Sequence, residues 1–182
     1  RGYGLSIEGL RQAVALAARL ASERVTAVVT SPRERARETA APIAERCGLP
    51  LDVAAELDEI DFGEWTGRSF AELEEQPLWQ RWNTFRSGAP PPGGESMAEA
   101  QSRALGRLDD LVQAEPEGRI VLVSHADVVK ALIAWFVGLL LDLVQRLEIA
   151  PASLSVLELR PWGPRLLSLN ETMADRPAIP EP

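Results

Sequence analysis

Hydrophobic and polar positions along the first quarter of the chain follow a helical pattern, then a strand pattern, then a helical one again. Apolar residues recur every three or four positions over residues 5–21, which predicts an amphipathic helix. Residues 25–30 follow as a short β-branched strand. Ser31 and Glu34, with a proline directly after the serine, have the spacing of a capping box. We therefore expect a second helix from this point to about Cys47.

The same alternation continues through the middle of the chain. Residues 51–57 form a second candidate strand, and short helices are predicted over residues 69–75 and 77–86. Ser96 and Glu99 make a further capping box, which predicts a helix to about residue 114.

The last third contains the most apolar stretch. Residues 119–124 are almost continuously apolar, as expected of a parallel strand covered on both faces, and residues 126–141 are typical of the helix that follows such a strand. Closing strands are predicted near Leu147 and over residues 154–159 and 166–169. Strands that alternate with helices predict an α/β fold, a three-layer α/β/α sandwich with a mainly parallel sheet.

The chain of 182 residues is long enough for one domain, expected over residues 1–170, with a loosely ordered proline-rich tail over 171–182. A net charge of -8 argues against nucleic acid or an anionic membrane surface as the main partner. No signal peptide is visible, and the longest apolar run is shorter than a membrane span, so a cytoplasmic location is expected. A homodimer is compatible with these numbers.

His125 is the only histidine of the sequence and the first candidate for chemistry. It stands between an apolar strand and a helix, where free backbone N–H groups favour an anion and where open α/β sheets bind their ligands. An incidental structural histidine is the alternative. With a single histidine and a single cysteine, a zinc site of the common kind cannot form, so no metal and no cofactor is expected.

Two further candidates follow the other predicted strands. Arg35 lies in the first turns of a helix at the same sheet edge, where a guanidinium could clamp a phosphate, although a solvated helix face would also explain it. Glu59 follows a strand and could act as a general acid. Asp58, Asp61 and Glu64 compete for that role, and the residues alone do not choose among them.

Taken together, the motifs resemble the histidine phosphatase superfamily, the phosphoglycerate mutase-like class. The resemblance runs through Leu-Ser-x-x-Gly-x-x-Gln-Ala at residues 5–13, Ser-Pro-x-x-Arg-Ala-x-x-Thr-Ala at 31–40, Leu-x-Glu-x-x-Phe-Gly-x-Trp-x-Gly at 57–67, Gly-Gly-Glu-Ser at 93–96 and Val-Ser-His at 123–125. It implies a phosphoglycerate mutase-like fold in which Arg35 contacts phosphate, Glu59 donates a proton and His125 is the second active-site histidine. Ala126 occupies a position where glycine is common and is expected beside the substrate.

The resemblance also implies a small phosphorylated metabolite as substrate and inorganic phosphate as product. The first strand of the family ends in Arg-His-Gly, which supplies the nucleophile and a second arginine, and that motif is not among these residues. We therefore expect that an N-terminal strand is missing and that the 182 residues by themselves are inactive.

The favoured activity is a phosphomonoester hydrolase acting through a phosphohistidine intermediate. A phosphoglycerate-type mutase is the first alternative, but mutases of the family hold their intermediate under a long insertion, and only residues 68–92 separate the two motifs here. A non-catalytic phosphate-binding domain is the second alternative, if the natural protein starts at Arg1.

Overall fold

The structure, a computed structural model, describes residues 3–173 of the chain. Its first helix, α1 (Ile7–Leu20), begins where the Ser6 hydroxyl accepts a hydrogen bond from the Gly9 amide at 3.1 Å. One stripe of α1 is buried: Ala13, Leu16, Ala17 and Leu20. The helix therefore packs through the face that the apolar spacing predicts.

Three short parallel strands form the central sheet: β1 (Ala27–Thr30), β2 (Leu51–Val53) and β3 (Ile120–Val123). Their order is β2, β1, β3, and Val28 of β1 lies in register with Leu51 on one side and Val121 on the other. Because all three strands run the same way, the residues that follow them gather at one edge of the sheet.

Five further helices and an antiparallel hairpin complete the described part of the chain. They are α2 (Glu34–Cys47), α3 (Phe70–Glu74), α4 (Pro77–Thr84), α5 (Met97–Ala114), α6 (Ala126–Val137), β4 (Leu154–Arg160) and β5 (Gly163–Glu171). Single 3₁₀ turns cover Ala55–Leu57, Gly63–Trp65 and Leu141–Arg146. None of the described helices is both long and apolar enough to cross a membrane.

Neighbouring residues of β1 face two different helix layers. Val28 belongs to an apolar cluster with residues of α1 and α2, whereas Val29 belongs to a cluster with residues of α5 and α6. This alternation is the period of two that a strand imposes on its side chains. The predicted three-layer α/β/α arrangement with a mainly parallel sheet is therefore confirmed.

Three boundaries differ from the sequence-based expectation. Helix α2 begins at Glu34 with Arg33 as its N-cap, so the predicted cap at Ser31 is wrong, and the hydroxyl of that serine is used elsewhere. Strand β2 ends at Val53, because the chain turns there into a 3₁₀ helix. Helix α6 ends at Val137, because Gly138 adopts the left-handed conformation with φ 70° and closes the helix.

The last part of the chain differs from the sequence-based expectation in two places. No strand forms at Leu147, which follows a 3₁₀ turn that buries Val144 instead. The predicted tail, residues 171–182, begins with the last residue of β5, and residues 174–182 lie outside the described part.

Strand β3 is less buried than its apolar sequence predicts. All four of its residues are only partly buried. Among the described residues, β3 pairs only with β1 and β4 pairs only with β5. A cavity of about 380 Å³ is lined by β3, by the inner face of α1 and by residues 149–155, which lead into β4. The sheet is thus open along one edge of β3.

Candidate active site

The open cavity ends at the carboxyl edge of the sheet, where three predicted functional residues meet. Arg35 lies in the first turn of α2, directly after β1, and Glu59 lies in the loop after β2. His125 follows β3 and is the N-cap residue of α6. Because the sheet is parallel, side chains that are up to 90 positions apart in the sequence come together at this point.

The imidazole of His125 is the centre of the site. The residue is only 6% exposed, and its Nδ1 atom lies 2.9 Å from Nη2 of Arg35 and 3.4 Å from Oε2 of Glu59. The Arg35 guanidinium in turn lies 3.5 Å from the same Glu59 oxygen. On the other side of the ring, Nε2 lies 2.8 Å from the Ser31 hydroxyl. The structure therefore brings together the arginine, the glutamate and the histidine that the sequence predicts.

The four acidic residues that compete in the sequence have different positions in the structure. Asp58 accepts a hydrogen bond from Nε of Arg33 at 2.6 Å and lies on the Nε2 side of the imidazole. Asp61 accepts a hydrogen bond from the Gly63 amide within its own loop, and Glu64 is exposed. Of the four, Glu59 is the one whose carboxylate contacts Nδ1 of the histidine and the Arg35 guanidinium.

Burial gives Glu59 and its histidine neighbour opposite protonation behaviour. Burial raises the pKa of Glu59 to about 7, and the charges of Asp127 and Asp58 act in the same direction against the Ile60 amide and Arg35. Burial and the Arg35 charge lower the pKa of His125 to about 4. Near pH 7 the Glu59 carboxyl group is therefore about half protonated, whereas the imidazole is neutral.

A partly buried ion pair holds the backbone of the Glu59 loop. Arg103 of α5 donates two hydrogen bonds to the Glu95 carboxylate, at 2.7 and 2.8 Å. The same guanidinium donates to the carbonyl oxygens of Glu56 at 2.6 Å and Glu59 at 3.3 Å. Because one rigid planar group bonds to both carbonyls, the loop between them is fixed relative to α5.

Two glycines let the Glu59 loop contact the Gly-Gly-Glu-Ser segment directly. A Cβ on Gly94 would lie 2.3 Å from the carbonyl oxygen of Asp61, and a Cβ on Gly63 would lie 2.3 Å from the carbonyl oxygen of Pro92. The Glu95 amide donates to the Asp61 carbonyl at 2.8 Å across this contact. Glycine is therefore required here for close approach of two backbones.

Aromatic residues fill the space below the loop. Trp65 and Trp82 are 4% and 0% exposed, and edge-to-face contacts link them to each other and to Trp79 and Phe62. Phe62 and Trp65 thus pack the loop against the aromatic residues of α4. Such pairs add about 0.5–1.5 kcal/mol beyond the area they bury.

The remaining predicted position and several unpredicted ones complete the site. Ala126 is the first residue of α6 and lines the cavity beside His125. Ser31 and the Arg103–Glu95 pair also contact the site, although the sequence predicts only a helix cap for Ser31 and no role for the pair. Glu95 lies within the Gly-Gly-Glu-Ser motif, but the spacing of residues along the chain does not show which partner a long arginine side chain reaches.

Comparisons with known proteins identify the family of the chain. The model of the histidine phosphatase superfamily (branch 1) matches residues 1–172. The chain is 35% identical over 158 residues to "Bifunctional protein Rv2228c" of Mycobacterium tuberculosis. This match covers 85% of this chain and 43% of that protein. It is 31% identical to "Probable phosphoglycerate mutase GpmB" of Yersinia enterocolitica, over 97% of this chain and 86% of the relative.

Among solved structures, the chain resembles the mycobacterial glucosyl-3-phosphoglycerate phosphatase Rv2419c in complex with VO3. The TM-score is 0.83 at 30% sequence identity, and the match covers 92% of this chain and 87% of that one. The chain thus spans less than half the length of the mycobacterial bifunctional relative but most of the length of the other two proteins.

Proposed function

Because the chain belongs to the histidine phosphatase superfamily, we propose that it forms the larger part of a phosphomonoester hydrolase acting through a phosphohistidine intermediate. The observation that carries this proposal is the convergence of Arg35, Glu59 and His125 at one point of the sheet edge, within 3.5 Å of one another. A cation, an imidazole and a carboxyl group that can hold a proton near neutral pH are together suited to cleaving a phosphate ester.

The phosphate would bind at the end of the cavity between Arg35 and His125. The guanidinium offers paired N–H donors to two phosphate oxygens, and the imidazole offers one more donor when it carries two protons. The first amide of α6, at Ala126, lies at a helix N-terminus, where anions are favoured. The overall charge of -8 makes this local basic site the natural position for an anionic substrate.

Glu59 would supply the proton that the leaving group needs. In the first step, a histidine nitrogen attacks phosphorus, the ester P–O bond breaks, and the Glu59 carboxyl group protonates the departing oxygen. In the second step, the resulting carboxylate takes a proton from water, the water oxygen attacks phosphorus, and the P–N bond breaks. Inorganic phosphate leaves, and Glu59 is protonated again. Because the pKa of Glu59 is about 7, its carboxyl group can donate a proton in the first step and accept one in the second near neutral pH.

The nucleophilic histidine is the residue that these 182 positions do not contain, and we propose that it enters on an additional strand. The edge of β3 and the segment that leads into β4 both face the cavity, and neither strand has a described partner on that side. A strand inserted there would satisfy the free edge of β3. If it ran parallel to β3, its carboxyl end would reach Arg35 and His125.

A small phosphorylated metabolite is the proposed substrate class, since two of the three proteins named above, the Yersinia relative and the mycobacterial phosphatase, are named for phosphorylated glycerates. The name of the Yersinia relative makes a mutase the second candidate. Against it, the segment between the Glu59 loop and the Gly-Gly-Glu-Ser motif is short, at residues 68–92, and forms two small helices rather than a long cover. Phosphate release without transfer to a second hydroxyl separates the two activities.

The experiment that tests the proposal begins with the coding sequence immediately upstream of Arg1. An in-frame Arg-His-Gly after a short apolar segment supports the proposal, and the protein expressed with that segment should then form an acid-labile, alkali-stable phosphoprotein with an aryl phosphate. Residues 1–182 alone should form none. A natural start at Arg1 would overturn the proposal and leave phosphate binding without catalysis as the remaining function. Turnover by the longer protein without a phosphohistidine would overturn the proposed intermediate.

A further inference from the structure

The hydroxyl of Ser31 is buried between two groups of the site. Ser31 is fully buried directly after β1, and its Oγ atom lies 2.8 Å from Nε2 of His125 and 3.3 Å from Oδ1 of Asp58. It also accepts a hydrogen bond from the Arg33 amide at 3.2 Å. A hydroxyl has one proton to donate and two lone pairs to accept with, so these three contacts use its whole capacity.

The direction of each hydrogen bond in this chain follows from the groups at its two ends. The Arg35 guanidinium can only donate, so Nδ1 of His125, at 2.9 Å, accepts. A neutral imidazole that accepts at Nδ1 carries its proton on Nε2, and that proton is donated to Ser31. The serine must then donate its own proton to Asp58, whose carboxylate can only accept. One arrangement of protons satisfies every contact.

Asp58 is itself held firmly at the end of the chain. Its Oδ1 atom accepts hydrogen bonds from Nε of Arg33 at 2.6 Å and from the Glu59 amide at 2.7 Å. Partial burial favours its neutral form, but the bonds from Arg33 and from that amide outweigh it and hold the pKa below the ordinary value. The carboxylate therefore stays charged and stays in place when the serine is altered.

We propose that Ser31 and Asp58 are positioning residues that hold His125 with Nε2–H directed into the protein and Nδ1 directed at the phosphate. The proposal rests on the proposed function only in assigning the phosphate to the Nδ1 side. Ser31 hydrogen-bonds to neither Arg35 nor Glu59, and Asp58 bonds to Glu59 only through its backbone amide, so both residues act on the reaction mainly through the orientation of the imidazole. Charged groups from every neighbouring element face the ring: Arg33, Arg35, Asp58, Glu59 and Arg103.

One consequence concerns the proton that phosphate binding requires. Because Nε2–H is already donated to Ser31, the atom that faces the phosphate has no proton in the neutral ring. His125 can donate to a phosphate oxygen only after Nδ1 takes up a proton, and Asp58, 3.9 Å from Nε2, stabilises the resulting positive charge through the serine. The Asp58–Ser31 pair thus prepares the imidazole to become a cation when a dianion binds.

The test uses the fact that the 182-residue chain has a single histidine. The chain is expressed without a polyhistidine tag and with ¹⁵N-labelled histidine, so that its ring gives one pair of nitrogen resonances. At neutral pH, the proposal expects a slowly exchanging, downfield ring N–H signal that correlates with Nε2. In Ser31→Ala this signal should be lost to exchange with water. Ser124→Ala is the matched control, since its hydroxyl bonds to the Leu57 carbonyl and not to the ring, and the signal should stay.

Asp58→Asn provides a second variant with the shape of the site retained. A neutral amide oxygen polarises the serine hydroxyl less than a carboxylate does, so the ring N–H signal should move upfield and exchange faster. It carries the test alone if Ser31→Ala does not fold, as judged from near-ultraviolet circular dichroism. An N–H signal that correlates with Nδ1 in the unaltered chain, or one that stays unchanged in the folded variants, overturns the proposal. Because the measurement needs no turnover, it can succeed even if the proposed phosphatase activity fails.

Discussion

One side of the candidate site is closely packed by residues of this chain, whereas the other side borders an open cavity. The closed side consists of the loops at residues 56–67 and 93–96 with α5, and its backbone groups bond to each other and to Arg103. The open side consists of the free edge of β3, the inner face of α1 and residues 149–155. Apolar residues of the closed side, such as Leu57 and Met97, are 0% exposed, whereas Leu16 on the open side is 6% exposed and β3 is only partly buried.

This difference separates the parts of the reaction. On the closed side, hydrogen bonds among the described residues hold the backbone of Glu59, the proposed proton donor. The open side borders the cavity into which the proposed nucleophile would enter. In the proposed reaction, the position of the proton donor therefore depends on the described residues. The position of the nucleophile depends on what fills the cavity.

The largest expected effect is the loss of the proton donor from the closed side. In the active protein, Glu59→Gln should reduce kcat/KM for alkyl phosphates by about 10²–10⁴-fold, because the leaving alkoxide then departs unprotonated. Aryl phosphates with good leaving groups should lose much less. The exposed Glu64→Gln in the same loop is the control and should change neither. Equal losses on both substrate classes would remove Glu59 as the proton donor.

A matched pair of leucine truncations compares the packing of the two sides. Leu57→Ala should lower the free energy of unfolding by about 4 kcal/mol, because it leaves a cavity in closed packing, and Leu16→Ala by about 2 kcal/mol, because its side chain already borders open space. Urea titration of residues 1–182 measures both. Equal costs at the two positions would contradict the distinction between a closed and an open side.

The pH dependence of stability tests the opposite protonation of the two central groups. The folded chain binds more protons than the unfolded chain through Glu59 between pH 4.5 and about 7, and fewer through His125 between pH 6.5 and about 4. In the unaltered chain, the contributions of Glu59 and His125 to the pH dependence of the free energy of unfolding have opposite signs. Glu59→Gln removes the first, so its free energy of unfolding should fall, relative to that of the unaltered chain, by about 2 kcal/mol as the pH drops from 6.5 to 4.

Urea titrations of both proteins at several pH values measure this difference. Parallel stability curves for the two proteins would show that Glu59 is not a buried carboxyl group with a raised pKa.

The smallest expected effect concerns the close contact of the two loops. Gly94→Ala places a Cβ 2.3 Å from a backbone oxygen and should cost about 2 kcal/mol, whereas Gly106→Ala, in open space on α5, should stabilise by about 0.5–1 kcal/mol. Thermal unfolding monitored by circular dichroism compares them. An unchanged thermal stability of Gly94→Ala would mean that the two loops can move apart without a cost in free energy.

Local signals in the sequence predicted most of the elements. The apolar spacing of α1 and the capping box of Ser96 with Glu99 are decided within a few residues, and both form as predicted. The boundaries that failed depend on distant partners. Ser31 has the sequence context of a cap, but its hydroxyl bonds to Asp58 and His125, so the helix begins at Glu34 instead.

The sequence by itself determined the fold class and the candidate residues Arg35, Glu59 and His125, because strand and helix periodicity, and motifs of fixed spacing, are local properties of a chain. The tertiary structure alone decided which hydroxyl contacts the imidazole and which edge of the sheet is open. Those features depend on distances between residues far apart in sequence, such as the 94 positions between Ser31 and its histidine partner, and no spacing along the chain specifies such distances.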